Sequence, residues 1–225
     1  MKYFIILSFM VLALFAFVDT SQAVPTTFAY EGIVDYAGGY SVGTAFDAFL
    51  GEKLRIVYTF ESTTPDNNTS ANGDYLGAVT SILVTVGKIT YTANKGNIII
   101  TNNGFNPDQY LVDIPQGLTG PDVAGIPVID FDLNFSDNTH TVFTSDALPT
   151  VQPDPADFSG ASLWLSFDGF KFPERRFGII AANKATRIAP IPEPCTLLLL
   201  GSGLLGLLFG GRKTLSRFSQ GWQAI

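Results

Sequence analysis

Over much of this chain apolar and polar residues alternate with a period of two. Leu54, Ile56, Tyr58 and Phe60 alternate with Lys53, Arg55, Val57 and Thr59. Phe131, Leu133 and Phe135 alternate with Asp130, Asp132 and Asn134, and Leu163, Leu165 and Phe167 with Ser162, Trp164 and Ser166. Alternation puts one face of a strand in a core and the other in water, which predicts antiparallel sheets. Further strands are predicted at 26–36, 78–86, 88–93, 97–101, 109–114 and 177–183. Residues 94–96 read as a hairpin between two of them, and Asn72-Gly73 and Asn103-Gly104 as turns. Residues 40–51 could form a short helix or an irregular connection, and the Pro-rich stretches 107–127 and 149–155 read as spacers. Helical periodicity is confined to short stretches, so residues 24–190 are expected to form one all-β domain, an antiparallel β-sandwich or jelly roll.

Two continuous apolar runs break this pattern, one near each end. Phe4 to Val18 follows Met1 and Lys2 and precedes Ser21 and Ala23. A basic start, a short apolar core and small residues at the cut describe a signal peptide over 1–23, cleaved between Ala23 and Val24. The second run, residues 196–211, is about 24 Å long as a helix against a hydrocarbon core of about 30 Å, so it spans a membrane only marginally. Pro192 and Pro194 stop it on one side. Arg212, Lys213 and Arg217 follow it and place that end in the cytoplasm, leaving 218–225 as a cytoplasmic tail.

Composition then separates into parts. The chain has 225 residues, with 13 Lys plus Arg against 20 Asp plus Glu, a net charge of −7. Mean hydropathy is nevertheless positive, at +0.26. The two terminal runs supply the hydropathy. The acidity belongs to the segment between them, which argues against nucleic acid as a partner. With one Cys, an internal disulfide framework is excluded.

Pro192-Glu193-Pro194, the Leu/Gly-rich span to Gly211 and the Arg212-Lys213 cluster together resemble the PEP-CTERM sorting signal of Gram-negative bacteria. The resemblance covers residues 191–217. It implies processing by a membrane-embedded exosortase-like enzyme and an association with exopolysaccharide, biofilm or floc. The segment after Arg217 is longer than is usual for such proteins. A plain single-span anchor, pairing through Ser202, Gly206 and Gly210, is the competing expectation. Cys195 is read as variation at the membrane boundary and not as a lipid site. The resemblance extends to the aromatic strand Tyr58–Phe60 running through Thr64-Pro65-Asp66 to Tyr75, and to Phe143 through Pro149; these imply β-sandwich punctuation and no activity.

Candidate chemistry is sparse. Gly39-Tyr40-Ser41-Val42-Gly43 matches G-x-S-x-G, and Ser41, Asp130 and His140 follow in hydrolase order, but a nucleophile elbow needs a parallel strand before it and a helix after it. One His leaves no zinc cluster. From Gly96 to Phe170 there are ten Asp and no Lys or Arg, a concentrated negative potential. Calcium is the natural ion for such oxygens, so no cofactor is expected beyond a weak case for structural Ca²⁺. Asp130, Asp132 and Asn134 share a strand face but stand about 6.7 Å apart in succession, and the loop 66–74 is rich in oxygen ligands without the EF-hand closing Glu. Trp164, opposite in facing to Leu163 and Leu165, is the candidate glycan contact. The expected protein is therefore exported and not an enzyme. Its role is structural or adhesive with exopolysaccharide; a carbohydrate-binding module is the first alternative and a surface hydrolase the second.

Overall fold

The computed structural model describes residues 25–189 except 69–71, 103, 105, 116, 172 and 173, with side chains omitted at 169–171 and 174–176. Eleven strands occur among them: β1 Pro25–Ile33, β2 Tyr36–Tyr40, β3 Lys53–Glu61, β4 Asn72–Val86, β5 Ile89–Ala93, β6 Gly96–Thr101, β7 Asp108–Ile114, β8 Val128–Asp137, β9 Gly160–Lys171, β10 Glu174–Ala182 and β11 Ala185–Arg187. Every named strand pair is antiparallel. The three alternating segments are buried as their pattern demands. Leu54, Ile56, Tyr58, Phe60, Phe131, Leu133, Phe135, Leu163, Leu165 and Phe167 all lie in the core.

Where two sheets were expected, one continuous sheet forms, in the order β11-β1-β3-β4-β6-β7-β8-β9-β10-β2 with β5 added on β4. Chain geometry explains how one sheet encloses a core. β1 and β2 stand near opposite ends of that order, yet only Val34 and Asp35 separate them. That connection reaches about 10 Å at full extension, so the two ends must meet. Asn183 and Lys184 join β10 to β11 across the same seam. Asp35 N–H donates to the Ala181 carbonyl at 3.1 Å. Its carboxylate accepts from Asn183 Nδ2 at 2.8 Å. Gly32 lies against Ala182 and the Lys184 carbonyl, where a Cβ would come within 2.6 Å of that oxygen. The sheet is thus curled until its ends touch.

Inside, aromatic rings fill the space. Tyr30 meets Phe135 edge-on at 4.9 Å, and Phe158 covers Phe135 at 5.4 Å. Buried hydroxyls need partners. The Tyr58 and Tyr110 hydroxyls bond each other at 2.6 Å, and Tyr30 donates to the Pro153 carbonyl at 3.1 Å.

Two turn expectations are corrected. Residues 94–96 do not form a hairpin, because β5 and β6 both pair with β4, through Ile82 with Ala93 and Val79 with Gly96. The true hairpin is at Gly87, with Val86 opposite Ile89 and a φ of 57° that suits glycine. Gly96 is small for a packing reason: a Cβ there would meet Ile114 at 2.1 Å. Asn72-Gly73 is not a turn but the start of β4, where the absent Gly73 side chain admits the Asp146 carbonyl. Tyr75 donates to that carbonyl at 2.9 Å, so the two stretches read as punctuation touch each other. In the doubtful segment 40–51 only Asp47–Phe49 is helical, one 3-10 turn.

The predicted signal peptide 1–23, the cleavage pair Ala23 and Val24, the sorting residues Pro192, Glu193 and Pro194, the span 196–211 and the basic cluster Arg212, Lys213 and Arg217 lie outside the described residues. Among the described residues no helix is long and apolar enough to cross a membrane.

Candidate functional site

The outer face of the curled sheet carries the chemistry. Cross-strand partners share a face, with Cβ atoms about 5 Å apart. Following the register outward gives one row over six strands: Asn97 on β6, Asp113 on β7, Asp132 on β8, Trp164 on β9, Ala181 on β10 and Tyr36 on β2. At strand spacing the row is about 24 Å long. Trp164 is 41% exposed and Tyr36 50%, whereas Ala181 between them is 1% exposed. Two half-exposed aromatic side chains therefore flank a buried methyl. The Tyr36 ring leans along its own strand toward Gly38.

Beside Trp164 three carboxylates converge. One oxygen from each of Asp113, Asp130 and Asp132 lies within 4.8 Å of the others. Asp113 and Asp132 are direct cross-strand partners. Asp130 is drawn in at the bulge where the β8–β9 register shifts between Val128 and Asp130. Burial, then the charges of Asp130 and Asp113, and a hydrogen bond with Asp113 push the Asp132 carboxyl up to about 7. Burial also raises Asp113, against hydrogen bonds from Asn97 and Asp132 that lower it. Asp130 is raised by burial and by Asp113. Below about pH 7 the Asp113–Asp132 pair holds a proton on Asp132, because like charges this close resist joint ionisation. An all-oxygen set of this kind suits a hard divalent cation or a ligand ammonium.

The face continues along β7 and β8 away from Trp164. Gln109 Nε2 donates to Asn134 Oδ1 at 3.0 Å. Beyond them a groove of about 320 Å³ is lined by Asn72, Thr101, Asn106, Pro107, Gln109 and Ser136. A polar stripe thus runs from this groove to the carboxylates and ends on the aromatic pair.

Other sequence candidates fare differently. The Asp66 carboxylate accepts from the backbone N–H groups of Asn68 and Asp74, both at 2.8 Å, and so ties the 66–74 loop to itself. Asp137 does similar work after β8. It accepts from Thr139 Oγ1 at 2.7 Å, Thr141 N–H at 3.1 Å and Ser159 Oγ at 3.0 Å. Those bonds hold its carboxyl well below the usual range. His140 lies in this loop, exposed, with a φ of 57°. Asp130 is about 23 Å away from Asp137 along β8, so the Ser41, Asp130 and His140 order is not a spatial triad. Ser41 sits at the end of β2, likewise exposed and at positive φ.

Asp130, Asp132 and Trp164 were legible in the alternation. Asp113, Tyr36 and the groove were not, because each joins the site through strand register. Comparison with protein-family models, with curated proteins and with solved structures finds no match for this chain.

Proposed function

We propose that this chain is an exported cell-surface or extracellular-matrix protein, structural or adhesive in association with exopolysaccharide, and not an enzyme. In this reading residues 1–23 deliver it across the inner membrane. The apolar run 196–211 then holds the precursor until an exosortase-like enzyme acts on the signal at Pro192, Glu193 and Pro194, with Arg212, Lys213 and Arg217 fixing topology. The composition supports this, since the acidity lies between two apolar ends.

The observation that carries the glycan association is the outer row in which half-exposed Trp164 and Tyr36 stand in register with Asp132, Asp113 and Asn97. Aromatic faces take the apolar face of a sugar ring, and carboxylate and amide oxygens accept from its hydroxyls. The same row favours the alternative of a carbohydrate-binding module for self-made exopolysaccharide. The hydrolase alternative has the weaker support, since Asp130 and His140 lie far apart. Affinity electrophoresis of the full chain, in gels containing the producing cell's exopolysaccharide, tests the association. Retardation that Trp164→Ala abolishes supports it; unchanged mobility of the native chain overturns it.

A further inference from the structure

We propose that the glycan recognised by this sheet face carries free amines: a hexosamine chain with a ring on Trp164 and an ammonium among Asp113, Asp130 and Asp132. The inference rests on the glycan reading above and adds the charge class of the sugar.

The face is first an aromatic one. Trp164 is 41% exposed in the middle of a row of paired strands, where an outward Trp without a partner leaves apolar area in water. Its direct neighbour across the strand pair is Asp132, and the two side chains rise together from the sheet. A ring stacked on the indole therefore has its substituents within reach of the carboxylates. Tyr36, with Ala181 beneath, offers the next apolar surface on the far side.

Charge decides which sugar. The sequence from Gly96 to Phe170, which contains β6 to β8 and most of β9, has ten Asp and no Lys or Arg. Acidic sugars are repelled by such a field. Neutral sugars gain hydroxyl bonds but bring no positive charge to the crowded carboxyl groups, whose repulsion is then relieved only by the proton held between Asp113 and Asp132. A ligand ammonium relieves that repulsion and makes charge-assisted hydrogen bonds, the stronger kind. It also favours release of the proton shared by Asp113 and Asp132, by placing a positive charge beside it. Ser166, in register with Asp130, supplies a neutral polar atom for the remaining hydroxyls, while Asn97 is held beside Asp113 with its Oδ1 accepting from Gly77 N–H at 3.0 Å.

Calorimetric titration of the full chain in detergent with glucosamine oligomers, their N-acetylated counterparts, neutral glucan oligomers and calcium chloride tests this. Glucosamine oligomers are expected to bind at least about tenfold more tightly than N-acetylated or neutral ones. Added salt should weaken that binding. Trp164→Ala and the near-isosteric Asp132→Asn should each lose most of it, with circular dichroism verifying the fold. Equal binding of neutral and amino oligomers, unaffected by Asp132→Asn, overturns the amine assignment and leaves the glycan reading standing. Absence of binding to any oligosaccharide overturns both. Calcium binding that Asp130→Asn abolishes, with no preference for glucosamine, also overturns the assignment and gives the carboxylates to a metal.

Discussion

Asp132 is the residue at which position and chemistry are most in tension. It faces outward on a strand yet is half-buried between Asp113 and Trp164, and it holds a proton to about pH 7. An unfolded Asp titrates near 3.9, so the folded state binds more protons between about pH 4 and 7. Stability should therefore fall as pH rises through that window and level off above it. Asp132→Asn removes the share of this dependence that belongs to Asp132. It is expected to raise the melting temperature at pH 8 by about 2–4 °C, what roughly 1 kcal/mol is worth at this size, with little change at pH 5. Melting curves at the two pH values check this; a variant less stable at both would contradict it. Tyr58 offers an opposite case, a buried hydroxyl that is paired. Tyr58→Phe leaves the Tyr110 hydroxyl buried without that partner and should cost about 1–3 kcal/mol, while adding Tyr110→Phe should recover part of the loss. Urea unfolding of both variants measures it. At this scale Asp130, Asp132 and Trp164 could be read from local alternation. Asp113 could not, since what brings it to Asp132 is the pairing of β7 with β8.

Elements were legible where their side chains alternate and obscure where backbone does the work. β3, β8 and β9 follow the pattern of their sequences, with the alternate apolar residues Leu54 to Phe60, Phe131 to Phe135 and Leu163 to Phe167 inward. β2 escaped notice because Tyr-Ala-Gly-Gly-Tyr has no alternation, and β11 because it is three residues long. Their signal lies in the seam, which only the strand order reveals. Glycine misled in two places for one reason. Gly73 and Gly96 looked like turn residues, but each is small because another part of the chain passes close by. Gly178 on β10 shows the same principle, its missing side chain housing the Phe46 ring, which also packs on Phe167 at 5.2 Å. Gly178→Ala would put a Cβ 2.2 Å from that ring. Overpacking of this kind should cost about 1–3 kcal/mol, and Phe46→Leu in the same chain should lessen the added cost. Thermal melts of the single and double variants would show it; an unperturbed Gly178→Ala would contradict the packing account.

At the scale of the molecule, a curled sheet with its ends joined at Asp35 and Asn183 buries an aromatic core and leaves the row of Trp164, Asp132 and Asp113 on its outer face. Curling matters to the proposed site because it pairs β2 with β10, which sets Tyr36 on the same outer row as Trp164 with Ala181 between them. An open sheet with β2 beside β1 would separate the two aromatics. The all-β class followed from alternation alone. The single continuous sheet did not, because strand order depends on contacts between residues distant in sequence, such as Ala37 with Ile180. The ends of the chain are read from sequence grammar, and the central claim rests there: that this domain leaves the cell after its tail is processed. Mass spectrometry of the protein's C-terminus in separated inner-membrane, surface and medium fractions tests that claim most directly. The account predicts surface or medium protein that lacks the residues after the Pro192-Glu193-Pro194 region, while intact Trp222 to Ile225 recovered only in the inner membrane would contradict it.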